Sequence, residues 1–206
     1  MSAAVLRPSG ERAVLVELDS LTAAHALSAS ILAAALPGVL DVVPAARTVL
    51  VTVHRADQLN PVATRLQQLA REPGAAVPKP AAVRIPVVYD GADLAEVARL
   101  TALSTGEVIA RHTAATYTVD FVGFAPGFAY LSGLDQVLHV PRLDSPRTAV
   151  PAGAVAIAGQ YSAVYPRTSP GGWQLIGHTD TPMFDVEAQP PAVLHAGMRV
   201  RFEVVG

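Results

Sequence analysis

Most of the residues able to do chemistry in this chain crowd into one stretch, residues 119–173. Two Gly/Pro/aromatic segments stand out there, Gly123-Phe124-Ala125-Pro126-Gly127-Phe128-Ala129-Tyr130-Leu131 and Tyr165-Pro166-Arg167-Thr168-Ser169-Pro170-Gly171-Gly172-Trp173. Between them runs Pro141-Arg142-Leu143-Asp144-Ser145-Pro146-Arg147. Prolines restrict the backbone around Arg142 and Arg147, and a fixed guanidinium fork takes a carboxylate or phosphate bidentately. The alternative is internal pairing with Asp144 or Asp135. Ser169-Pro170-Gly171-Gly172-Trp173 can present successive backbone N–H groups as an anion-binding concavity, with Gly171 and Gly172 at positive φ; a tight barrel corner competes with that reading. His112 can act as acid, base or hydrogen-bond donor near neutral pH, or satisfy carbonyls at a helix C-terminus. Phe124, Phe128, Tyr130, Tyr165 and Trp173 beside two arginines have the composition of an interface centre, with Phe128 as its anchor. Filling a barrel interior is the other use for those rings.

Composition removes several chemistries. No cysteine is present among the 206 residues, which excludes disulfides, zinc–thiolate sites and thiol nucleophiles. Lys79 is the sole lysine and lies in a Pro-rich segment, so Schiff-base, Walker-type and serine–lysine amidase centres have no base to build on. The other histidines are scattered without ligand spacing, so no metal site is expected. A net charge of −2 gives no electrostatic footprint for nucleic acid, and 51% hydrophobic residues are ample for a core. No apolar run has the length of a membrane span or signal peptide, and a cytoplasmic location, compatible with the absence of cysteine, is expected.

The elements that must position these residues fall into two styles. Residues 12–18 read as a strand, Ser20 caps a helix to Ala35, residues 39–43 and 48–53 form a hairpin, and Asn60-Pro61 opens a second helix. That order predicts a small α+β layer resembling a split βαβ unit. Residues 72–80, rich in Pro and Ala, read as a linker, giving domains 1–80 and 81–206. Beyond it, a strand containing Pro86 belongs at an edge. Asp93 caps a short helix, and Ser104 with Glu107 makes a capping box for the helix carrying His112. Arg99 and Arg111 alone give this helix pair no basic face for DNA. From Tyr117 onward short strands are expected at 117–124, 137–140, 154–158, 163–165, 173–176, 183–186 and 199–205, as in a small barrel or sandwich.

Together the 123–131, 141–147, 155–159 and 165–177 segments resemble the family called allophanate hydrolase subunit 1, or KipI-like, also described as the B-type subunit of 5-oxoprolinase. The resemblance is carried by residues 110–180. It implies an α+β chain: a small N-terminal α/β layer followed by a cyclophilin-like β-barrel. It also implies a homologous second subunit, of the allophanate hydrolase subunit 2 type or the C-type of 5-oxoprolinase. A third large subunit and a likeness of the pair to the carboxyltransferase part of urea carboxylase are implied as well. The implied activity is ATP-dependent opening of the 5-oxoproline lactam to glutamate, or related amide processing; which subunit binds ATP stays open. His112, Arg142 and Arg147 are then the candidate catalytic residues facing a small anionic substrate. Phe124, Pro126, Gly127, Phe128, Tyr161, Tyr165, Ser169, Gly171, Gly172 and Trp173 are the candidate substrate-binding walls. A sporulation-kinase inhibitor shares the implied fold, so the alternative is a non-catalytic inhibitor of a sensor histidine kinase that docks through the same aromatic loop. Tyr161-Ser162-Ala163 stands where many relatives have Gln-Thr-Gly, and His178 where many have Arg.

Overall fold

The computed structural model describes residues 4–72 and 82–206. The chain divides into two compact units, Met1–Pro78 and Lys79–Gly206. The linker expected at 72–80 lies, apart from Glu72, outside the described residues, as does Lys79.

The first unit contains β1 (Val5–Pro8), β2 (Ala13–Glu17), α1 (Leu21–Ala34), β3 (Val39–Pro44), β4 (Thr48–Val53), a 3-10 turn at Ala56–Gln58 and α2 (Leu59–Leu69). Its sheet has the order β1-β2-β4-β3, with every neighbouring pair antiparallel. β2 and β3 therefore run parallel with β4 between them, the split βαβ arrangement. Alternation drives the burial: Val49, Val51 and Val53 all face the core. Ala24, Leu27 and Ile31 of α1 join them, with Val62, Leu66 and Leu69 of α2. Each such side chain contributes about 1.5–3 kcal/mol on burial, less for alanine. Ser20 caps α1, its Oγ accepting from the Ala23 N–H at 3.2 Å. The second helix begins at Leu59, with Gln58 at its N-cap, rather than at Pro61 with Asn60 as its cap, because the 3-10 turn runs straight into it. Pro61 still falls in the first turn, where a missing N–H breaks no intrahelical bond.

The second unit contains β5 (Val83–Val87), α3 (Leu94–Thr101), α4 (Thr105–Ala114), β6 (Tyr117–Val122), β7 (Ala129–Ser132), β8 (Arg147–Val150), β9 (Ala154–Ala158), β10 (Tyr161–Val164), β11 (Ser169–Gly171), β12 (Gln174–His178) and β13 (Arg199–Val204). Seven strands form one sheet in the order β12-β9-β10-β7-β6-β13-β5. A bridge between Val88 and His178 joins its two ends through reciprocal backbone bonds of 2.9 and 2.8 Å, so the sheet is a nearly closed barrel. β5, carrying Pro86, is the end strand and pairs in parallel with β13. β8 and β11 make a separate two-stranded ribbon.

Strand alternation then gives the barrel two unlike faces. Val155 and Ile157 of β9 belong to the main core with Leu94, Val97 and Val108 from the helices. Ala154, Ala156 and Ala158 belong to a second cluster with Phe128, Tyr165 and Trp173. Ser104 Oγ and the Glu107 carboxylate form the anticipated capping box at the start of α4. Two expected strands are absent. Residues 137–140 begin instead inside a 3-10 turn at Gln136–Leu138, where the Asp135 carboxylate takes the Val137 N–H at 3.0 Å. Residues 183–186 contribute only an isolated Phe184–Ala192 bridge, flanked by Pro182, Pro190 and Pro191, which lack ladder donors.

Candidate functional site

The alanines of β9 and β10 are what make the site. Ala154, Ala156, Ala158 and Ala163 leave a shallow floor on the outer face of the barrel, and aromatic rings fill it. Phe128 meets Tyr130, Tyr165 and Trp173 edge-on at centroid separations of 5.1, 5.3 and 5.7 Å. Tyr130 in turn stacks on Phe121 at 4.4 Å and meets Tyr161 and Trp173 at 5.7 Å each. Such edge-to-face pairs add about 0.5–1.5 kcal/mol each beyond burial. A β-bulge in β6 between Val119 and Phe121 lets Phe121 join this face, and it sets the buried Asp120 against Ser132 Oγ. Phe124 sits at the edge of the cluster, 5.2 Å from Phe128 and 6.3 Å from Tyr165. It is 58% exposed and holds φ at 67°, a left-handed conformation costly for a bulky side chain. Pro126 is exposed on the same turn, and Gly127 packs against Met183 and Phe184.

Both arginines come to this face. The Arg142 guanidinium lies 5.8 Å from the Trp173 ring centre, within cation–π range. Arg147 opens β8, opposite Gly171 of β11. Its Nη2 donates to Asp93 Oδ1 at 2.6 Å, so its internal partner is Asp93, neither Asp144 nor Asp135; Asp135 is taken by Arg111. Arg147 Nη1 and Gln174 Oε1 are buried without a hydrogen-bond partner among the described residues, each at a cost of about 1–3 kcal/mol. Burial pushes the Tyr165 hydroxyl pKa up, while the Trp173 backbone N–H and the charges of Arg142 and Arg147 pull against that. Tyr161 is likewise raised, by burial first.

Gly171 and Gly172 do not take positive φ, which removes the anion-binding concavity expected there. Gly171 is part of a strand, and glycine is needed for a different reason: a Cβ would collide with the Tyr165 hydroxyl. Gly172 uses its carbonyl to hold the arginine loop, accepting from the Leu143 N–H at 2.7 Å. Ser169 is buried, and its hydroxyl closes a local turn onto Arg167 O at 3.0 Å.

His112 is on the other side of the sheet. In β10, Tyr161 and Ala163 face the aromatic cluster, so Ser162 and Val164 face inward. Ser162 Oγ lies 2.9 Å from His112 Nε2, and the Tyr89 hydroxyl lies 2.7 Å from Nδ1. The ring stacks on Phe202 at 4.6 Å and is fully buried. Desolvation lowers its pKa to about 3, so it is neutral at physiological pH. Both nitrogens are used inside the core; the helix C-terminal carbonyls are not its partners, and it does not share a face with Arg142 and Arg147. Ser162, 50 residues along the chain, was not legible as its partner. Asp93 was legible only as a helix cap, and that is not what its side chain does: it makes no cap bond, taking instead Arg147 and the Leu175 N–H at 2.7 Å. Among the described residues no three His, Asp or Glu side chains gather into a metal-holding group, and no helix is long and apolar enough to cross a membrane.

Residues 4–194 match the family model described as carboxyltransferase domain, subdomain C and D. The chain is 42% identical over 201 residues to the B subunit of 5-oxoprolinase from Escherichia coli O157:H7, covering 94% of this chain and 92% of that one. It is 43% identical over 150 residues to the protein of the same name from Haemophilus influenzae, covering 71% and 70%. Among solved structures it is similar to TTHA0988, at 36% identity and a TM-score of 0.84; the match covers 95% of this chain but 40% of that longer one. It is also similar to PH0987 of Pyrococcus horikoshii, described as a conserved uncharacterized protein, at 31% identity and a TM-score of 0.58, covering 98% and 97%. The Kluyveromyces lactis urea amidolyase shares the fold, at 19% identity and a TM-score of 0.69 over 98% of this chain and 15% of that one.

Proposed function

This chain belongs to the carboxyltransferase domain, subdomain C and D, family, and from that membership we propose that it is the B-type subunit of a 5-oxoprolinase complex. The complex opens the lactam of 5-oxoproline to glutamate at the expense of ATP, water being added across the amide C–N bond. The chain acts with a homologous C-type partner and a third, larger subunit, and is inactive alone.

The observation that carries this reading is the pair Arg142 and Arg147 on an aromatic face with a buried guanidinium nitrogen still lacking an acceptor. A small carboxylate fits there: the guanidinium supplies paired donors, while Trp173, Tyr165 and Phe128 exclude water and strengthen the charge interaction. Phe124, Pro126, Gly127 and Tyr161 border the same face, and Gly171, Gly172 and Ser169 shape its backbone support. His112 is assigned a positioning role, fixing β10 to α4 through Ser162, since its ring has no access to a ligand on the outer face. The chain has no P-loop and one lysine, which supports placing the nucleotide on another subunit.

Co-expression with its C-type partner and the large subunit, followed by an ATP-dependent 5-oxoproline turnover assay, tests the proposal. Glutamate should appear only in the complete mixture. Turnover by the isolated chain, or none by the assembled complex, would overturn it.

A further inference from the structure

The Asp93–Arg147 pair is built more firmly than a surface ion pair. Asp93 is 7% exposed, and it spends both carboxylate oxygens on different strands. Oδ1 holds Arg147 Nη2 of β8 at 2.6 Å, and Oδ2 holds the Leu175 N–H of β12 at 2.7 Å. Its own backbone N–H donates to Leu175 O at 2.9 Å, so the residue is clamped to β12 at two points. Two residues earlier, Gly91 lies against the backbone of Leu175, Ile176 and Gly177 so closely that a Cβ would collide with it. A helix N-cap normally turns its side chain onto its own helix; here α3 gives up that bond for a contact 54 residues away. What gains a fixed orientation from this is the Arg147 guanidinium.

We propose that Asp93 is a positioning residue: it holds the Arg147 guanidinium against β12, so that its cation, together with Arg142 over Trp173, receives a monocarboxylate ligand. The proposal rests on the reading that the two arginines take the carboxylate. A planar fork loses its advantage when its plane is free to turn, so the effect of Asp93 on binding must act through Arg147.

Trp173 is the sole tryptophan and lies under Arg142, so its fluorescence reports occupancy of this face. The experiment titrates 5-oxoproline, and acetate as a carboxylate without the lactam, into the complete chain. Wild type, Asp93→Asn, Arg147→Lys and the double variant are compared, with a thermal midpoint for each. Asp93→Asn and Arg147→Lys should each weaken 5-oxoproline binding about tenfold or more, and the double variant should bind no more weakly than the worse single one. Asp93→Glu keeps the charge but displaces the carboxylate by one methylene; it should fold and lose a smaller factor, which keeps the test decisive if Asp93→Asn unfolds. Unchanged affinity in the Asp93 variants, or losses that multiply in the double variant, would overturn the positioning role while leaving the 5-oxoprolinase reading intact. Absence of any carboxylate binding by the wild-type chain would also overturn it. Coupled losses in binding together with an assembled complex that never opens the lactam would retain Asp93 and sink the function proposed above.

Discussion

Phe128 has the sequence context of an anchor that a partner covers, and its burial moves it to a different role. At 2% exposure it touches Phe124, Tyr130, Tyr165 and Trp173, so the isolated chain already holds the ring that a partner was to receive. Phe128→Ala should therefore destabilise the isolated chain by about 3–5 kcal/mol, read as a lower urea midpoint. Phe128→Asp should unfold the second unit outright, since it buries a carboxylate among rings. A folded Phe128→Asp chain with a wild-type midpoint would show that the ring is not core. Arg147 gives the complementary prediction. Arg147→Lys keeps a cation facing Asp93, so stability should change by less than the roughly 3–5 kcal/mol that breaking a buried pair costs. Turnover in the assembled complex should nevertheless fall by about tenfold or more, because an ammonium cannot reproduce the planar fork. Wild-type turnover by that variant would remove Arg147 from the site.

At the scale of elements, α4 and β10 are joined by one buried hydrogen-bonded histidine, and this makes their packing sensitive to acid. The folded-state pKa of His112 is depressed to about 3 by burial, below the unfolded value of about 6.5. Between those values the unfolded chain binds the extra proton, so stability is full above pH 6.5 and falls as pH drops. Going from pH 6.5 to 5, this group alone should remove on the order of 1–2 kcal/mol of unfolding free energy. His112→Gln should be less stable at neutral pH yet show a shallower loss over the same window in urea titrations; an identical pH slope would show that another group carries it. How much of this was legible in the sequence follows the range of the interactions. α1, α2, the β3–β4 hairpin and the Ser104–Glu107 cap are set by periodicity and by contacts a few residues apart, and they appear within a residue or two of where the sequence puts them. β8 and β11 have four and three residues, and Pro170 interrupts alternation in the second, so only their mutual pairing makes them strands. The aromatic cluster was legible because Gly and Pro flank its rings. The side of the sheet to which His112 belongs, and the use of Asp93, depend on partners 50 or more residues away, which no local pattern contains.

For the molecule as a whole, the two units have separate cores: no residue of the cluster around Val51 and Leu66 belongs to the cluster around Ile157 and Phe202. Their sheets share no strand either. A domain is expected to fold alone when it owns its core, and every side chain placed at the candidate site lies in Lys79–Gly206. A fragment spanning residues 79–206 should then unfold in a single cooperative urea transition, with a slope in proportion to its smaller buried surface. It should bind 5-oxoproline with an affinity within about twofold of the complete chain, since Arg142, Arg147 and Asp93 all lie within it. The fragment 1–78 should fold separately and bind none. The barrel alone need not support turnover, because assembly with the other subunits can require surfaces of the first unit. A fragment that lacks a cooperative transition would show that the barrel depends on the first unit for its stability. One that folds but no longer binds would place part of the carboxylate site within residues 1–78, contrary to the assignment of Arg142, Arg147 and Asp93.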